Sequence, residues 1–316
     1  MINPIDIVLY TFLFGGLLLL GIGYFYKDRK KHLMRTAGWL LFGLYWLYIT
    51  ITLTGFLAVG QDWLHSWPIP TRFPVPDIIN AGFTGVAFPF FAYLGYQEYL
   101  SYRWDKDDES LKFIAGLSFI AGMTYFLIDL IPSLAAVIIY FIAVQTVWIL
   151  NLMGYPAGAY FSDMNYAGTQ EEGIFLPLRD TSPQISIVLA CTAIQAIVIF
   201  VAAIYCTKAD SMRKFKGYVA ALPVIHVLNI VRNVGVIYLS NVAGLNFDFV
   251  HIYIGKTFSL IVLIFITFYI FKILPELHEN ILGLVDLPMR KKKMKSIKST
   301  EYDVSKKDDG VKTGEK

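Results

Sequence analysis

The segment "PIDIVLYTFLFGGLLLLGIGYFYKDRKK", residues 4–31, decides the class of this chain. Its first 23 residues hold a single acidic side chain and no basic one, and five charges follow at once as Lys-Asp-Arg-Lys-Lys. About 20 consecutive apolar residues are what a helix needs to cross a bilayer, and Lys and Arg collect on the cytoplasmic flank of such a helix. A cleavable signal peptide has the reverse order, with basic residues before the apolar run. The segment therefore reads as a first membrane span whose N-terminus faces outward.

Working outward, comparable runs recur at roughly 36–59, 78–102, 113–131, 133–154, 184–206, 218–240 and 250–273. The whole chain of 316 residues is 56% hydrophobic and 16% charged, with a mean hydropathy of +0.55. These values exclude a soluble globular protein. The expected fold is all-α: a polytopic transmembrane bundle of about seven or eight membrane helices. The net charge of +3 belongs to one end, because residues 290–316 hold 10 Lys/Arg against 5 Asp/Glu. That basic end reads as a cytoplasmic tail rather than a nucleic-acid-binding arm. Two units are expected: a membrane domain over 1–277, and a basic, disordered cytoplasmic tail over 278–316.

Basic clusters at 27–35 and 208–216 mark further cytoplasmic positions. The long polar connection 155–184, "YPAGAYFSDMNYAGTQEEGIFLPLRDTSPQ", reads as an ordered extracytoplasmic loop. A conflict follows. An odd number of crossings must separate 27–35 from 155–184, yet four apolar runs lie between them. Pro132, just after Asp129, marks the place where two runs need not be two spans.

In the C-terminal half this topology brings polar residues of three helices to one depth. Cys191, seven residues below the outer end of its helix, and Arg232, eight residues below the outer end of the next, both lie in the outer half of the bilayer. His251 sits at the outer mouth of the last helix. An arginine within a span is costly and faces a cavity or a partner. Asn229 and Asn233 flank Arg232, with Asn229 placed to orient its guanidinium, and Gln195 follows Cys191 by one turn. A thiol, a guanidinium and an imidazole together suit acyl transfer: Cys191 as nucleophile through a thioester, Arg232 stabilising thiolate or oxyanion, His251 as general acid and base. Cys206, near the cytoplasmic end, reads as structural. No H-E-x-x-H, Cys/His cluster or P-loop points to a metal or cofactor, so none is expected. The alternative is a secondary transporter or channel, in which Arg232 binds an anionic solute or gates a pore and Cys191 merely packs.

"LACTAIQAIVIF" at 189–200, "PVIHVLNIVRNVGVIYL" at 223–239, a His-headed last helix ending in "ILPEL" at 273–277, and "GWLLFGLYW" at 38–46 resemble the exosortase/archaeosortase family, in particular its archaeosortase A subgroup. The resemblance implies a multi-pass cell-membrane cysteine protease and transpeptidase of archaea. Its partners would be exported proteins with a C-terminal tripartite sorting signal (Pro-Gly-Phe type), cleaved and joined to a membrane lipid for anchoring at the cell surface. It implies Cys191 as nucleophile, Arg232 as the family's arginine and His251 at the third catalytic position, where relatives often carry Arg. Ala193 departs from the pattern, which has glycine two residues after the cysteine.

Overall fold

The computed structural model describes residues 4–53, 78–161, 174–176 and 185–290. They form a helical bundle of α1 (Pro4–Phe25), α2 (Lys31–Leu53), α3 (Ile78–Trp104), α4 (Glu109–Leu130), α5 (Pro132–Leu152), α6 (Ile194–Cys206), α7 (Ser211–Ile237), α8 (Lys256–Ile273) and α9 (275–290). Five described segments are long and apolar enough to cross a membrane: Ile7–Phe25, Glu109–Leu130, Pro132–Leu152, Ser211–Val242 and Phe249–Ile273. The fold is the expected polytopic bundle, with one addition: a three-stranded antiparallel sheet of β1 (Tyr160–Phe161), β2 (Ile174–Leu176) and β3 (Ile185–Ile187). The rest of the connection expected over 155–184, residues 162–173 and 177–184, lies outside the described residues. The second half of the expected tail, from 291 onward, lies outside the described residues, as does the polar segment 54–77.

Local chemistry sets the helix ends. Asp108 caps α4 by accepting from the backbone N–H groups of Ser110 and Leu111, and Asp210 caps α7 through Met212 N–H. Antiparallel packing then follows from small residues and polar ties. Gly16 of α1 and Gly38 of α2 bring their backbones so close that a Cβ on Gly16 would lie 2.8 Å from Phe42 N and one on Gly38 would lie 2.9 Å from Gly16 O. The α2–α3 hairpin, the most extensive helix pair, is tied at one end by Lys31–Asp107 (2.6 Å), His32–Glu98 (2.8 Å) and Arg35–Glu98 (2.9 Å). Burial works against ionisation of Asp107, but the hydrogen bonds from Lys31 and His32 hold its carboxyl below the usual carboxylate range.

The two apolar runs around Pro132 are separate helices that meet at Ile131. This single residue is extended (φ −105°, ψ 95°) ahead of Pro132, which opens α5. α5 does not fold back on α4. Gln145 meets His226 at 2.8 Å, and Tyr155 stacks edge-on against Tyr238 with ring centroids 5.2 Å apart. Residue order therefore rises along α5 and α7 together. α4 runs antiparallel to α1, with Gly116 against Tyr24 and Gly122 against Leu17.

Two expectations need correction. The helix anticipated over 184–206 starts only at Ile194; β3 and a 3₁₀ turn (Leu189–Cys191) occupy its first part. α6 is thus 13 residues, about 20 Å. Apolarity alone could not separate strand, turn and helix inside one greasy run. The ordered chain also extends past residue 277. Residues 275–290 are helical, with Leu287 buried in the α1–α2–α3 core. Arg290 bonds Gln97 O (3.3 Å) and Ser101 Oγ (2.9 Å) and pairs with Asp108 (3.3 Å).

Candidate active site

The turn that carries Cys191 is built by backbone constraint. Cys191 N–H bonds Val188 O (2.8 Å), and the buried Thr192 hydroxyl donates to Leu189 O (2.6 Å) and accepts from Ile194 N–H (3.3 Å). To pass from this 3₁₀ turn into α6 the chain uses a left-handed residue, and that residue is Ala193 (φ 58°, ψ 12°). Cys191 therefore lies not within a helix but two residues before the N-cap of α6. The thiol is half-buried and has no hydrogen-bond partner among the described residues.

α7 supplies the wall opposite. Asn229 and Asn233, four residues apart on one face, both donate their amides to the Cys191 carbonyl, at 2.9 and 3.1 Å. Both are buried, at 8% and 6% exposure, so each amide needs a fixed partner. Arg232 is half-buried beside them. Its Nη1 donates to Asn233 Oδ1 (3.3 Å) and its Nε to Gly255 O (3.2 Å). One side chain, Asn233, thus joins the cysteine turn to the guanidinium. Asn229, expected to orient Arg232, instead holds the cysteine turn.

His251 lies on a π-helical segment, Phe249–Gly255, that leads into α8. Its ring stacks on Phe247 (5.4 Å, 12° between planes), and Arg232, Lys256 and Asp248 are its charged neighbours. Gly255, which accepts from Arg232, ends the same segment. Its missing Cβ matters: one there would stand 3.3 Å from Arg232 Nε. The structure thus brings Cys191, Asn229, Asn233 and Arg232 into one hydrogen-bonded set. His251 stands outside that set, among the neighbours of Arg232. Gln195 points elsewhere and bonds Tyr125 of α4. The Gly255 carbonyl was not legible in the sequence, since its dihedrals are ordinary helical ones (φ −66°, ψ −43°) and only its neighbours distinguish that glycine from others in apolar helices. Among the described residues no group of three or more His, Cys, Asp or Glu side chains is placed to hold a metal ion.

Comparison with known proteins places the chain in a family. Residues 10–269 match the family described as Transmembrane exosortase (Exosortase_EpsH), and the chain belongs to that family. It is similar to Archaeosortase A of Haloferax volcanii, with 26% identity over 218 residues, 65% of this chain and 62% of that protein. The match thus spans less than two thirds of the relative's length. No solved structure matches the chain.

Proposed function

We propose that the protein is a membrane-embedded cysteine transpeptidase that cleaves a C-terminal sorting signal, of Pro-Gly-Phe type, from exported surface proteins and passes the new C-terminus to a membrane lipid. The observation that carries this reading is the double engagement of Asn233, bonded to the carbonyl of Cys191 and to the guanidinium of Arg232. A packing cysteine in a transporter has no need of two buried amides fixing its turn against a charged side chain. Family membership supports the same reading.

In the reaction, the Cys191 thiol gives its proton to His251 as the sulfur attacks the scissile peptide carbon, and the carbonyl π electrons move to oxygen. Arg232 stabilises that oxyanion by charge and directed hydrogen bonds. As the intermediate collapses the C–N bond breaks, and His251 in its protonated form gives a proton to the departing amine. A thioester on Cys191 remains. A lipid head-group nucleophile, or water, then loses its proton to His251 and attacks the thioester carbon, and the thiolate leaves. The clamp on the Cys191 carbonyl keeps the sulfur in place through both steps. The site faces the extracytoplasmic side and residues 291–316 lie in the cytoplasm, as the basic flanks at 27–35 and 208–216 require. The folded membrane unit takes in α9, and the basic tail follows it.

Purified protein mixed with a synthetic sorting-signal peptide tests this by mass spectrometry. An acyl adduct on the Cys191 peptide, released by hydroxylamine, is expected. Turnover of the peptide with an adduct on another residue, or adduct-free turnover by a Cys191→Ala protein, would contradict the reading.

A further inference from the structure

At the end of the bundle opposite Cys191, about 20 Å away along α6, helices α1, α2, α4, α6 and α7 line an open cavity of about 510 Å³. Five cations line it, Lys27, Lys31, Arg35, Lys112 and Lys214, with no Asp or Glu in its wall. Lys31 is paired with Asp107 and Arg35 with Glu98. The other three have no carboxylate partner among the described residues. Lys112 lies over the Tyr24 ring (5.4 Å), and Lys214 donates to Tyr205 O (2.8 Å).

Arg35 supplies an independent sign. It is 1% exposed, yet its Nε has no hydrogen-bond partner among the described residues. Its stem passes through a gap kept open by Gly23, where a Cβ would lie 2.6 Å from Arg35 Cγ. A buried guanidinium N–H left without an acceptor is costly, and the residue that carries it is in the wall of the cationic cavity. Phosphate oxygens suit such a set, because they accept from several dispersed N–H groups at once. The rim adds amphipathic surface: Phe25 and Tyr205 are 60% and 49% exposed. Basic pockets between membrane helices at the cytoplasmic face are where anionic head groups bind.

We propose that this cavity is a binding site for a phosphate-bearing anion, with Arg35, Lys27, Lys112 and Lys214 as its donors. Two sources offer that chemistry, an anionic phospholipid head group and a soluble phosphate. The site is remote from the proposed acyl-transfer centre and does not depend on it.

The full-length protein in dodecyl maltoside is titrated separately with dihexanoyl phosphatidylglycerol, dihexanoyl phosphatidylcholine and inorganic phosphate, with the thermal transition as readout. A saturable upward shift is expected with phosphatidylglycerol or with inorganic phosphate, and not with zwitterionic phosphatidylcholine. A response to phosphatidylglycerol alone assigns the lipid, and a response to inorganic phosphate of equal size assigns the soluble anion. The Lys112→Gln/Lys214→Gln protein should bind at least tenfold more weakly. A Lys30→Gln/Lys216→Gln protein, equally reduced in charge outside the cavity wall, should stay within twofold of wild type. If the first double variant does not fold, Lys27→Gln with Lys112→Gln takes its place. Equal affinity in cavity and control variants, equal shifts with both lipids, or no saturable shift with any probe would overturn the proposal.

Discussion

Ala193 has a φ of 58°, in the region where a Cβ crowds the backbone, at a cost of roughly 1–2 kcal/mol, so the position favours glycine. Ala193→Gly should leave the turn intact and raise stability by about 1 kcal/mol after the added chain entropy of glycine, readable as a higher thermal midpoint. Ala193→Val should lower both midpoint and activity, since a β-branched residue fits that conformation worse. Asn233→Ala removes a donor to Cys191 and an acceptor for Arg232 together. Losing two such bonds, about 1–1.5 kcal/mol each, predicts a roughly 30–150-fold fall in kcat. Arg232→Lys should also impair turnover while the protein folds, because a lysine cannot hold Asn233, Gly255 O and an oxyanion at once.

At the scale of elements, α9 shows how far a charge count can mislead. The boundary of the folded part was drawn too early because 278–290 carries a single buried residue, Leu287, and no apolar run that marks it as part of the core. Leu287→Ala should cost about 2–5 kcal/mol and loosen the α1–α2–α3 core, a change that hydrogen exchange over α3 would register. The depth match of Cys191 with Arg232 was legible in the sequence, since basic flanks and residue counts fix depth along α7. Which side chains meet was not: Asn229 and Gln195 share neighbourhoods with several partners, and only the short 3₁₀ turn and sheet before α6 decide which amide reaches the Cys191 carbonyl. Strands of three residues inside an apolar run carry no periodicity that separates them from helix.

For the whole molecule, the cysteine turn, the C-terminal part of α7 and the head of α8 gather at one end of α6, and the basic cavity lies by its other end. Single-cysteine labelling in a Cys191→Ala/Cys206→Ala background should place residues near 170 outside and residues near 300 inside, and labelling of both from the same face would overturn that arrangement. The central claim, that Cys191 forms the acyl intermediate, has a direct measurement: maturation of an exported, C-terminally tagged substrate in cells carrying Cys191→Ala as their sole copy of this protein. The account predicts that the unprocessed precursor accumulates and no mature form appears, although the variant is made and folded at wild-type levels. Full processing by Cys191→Ala would contradict it.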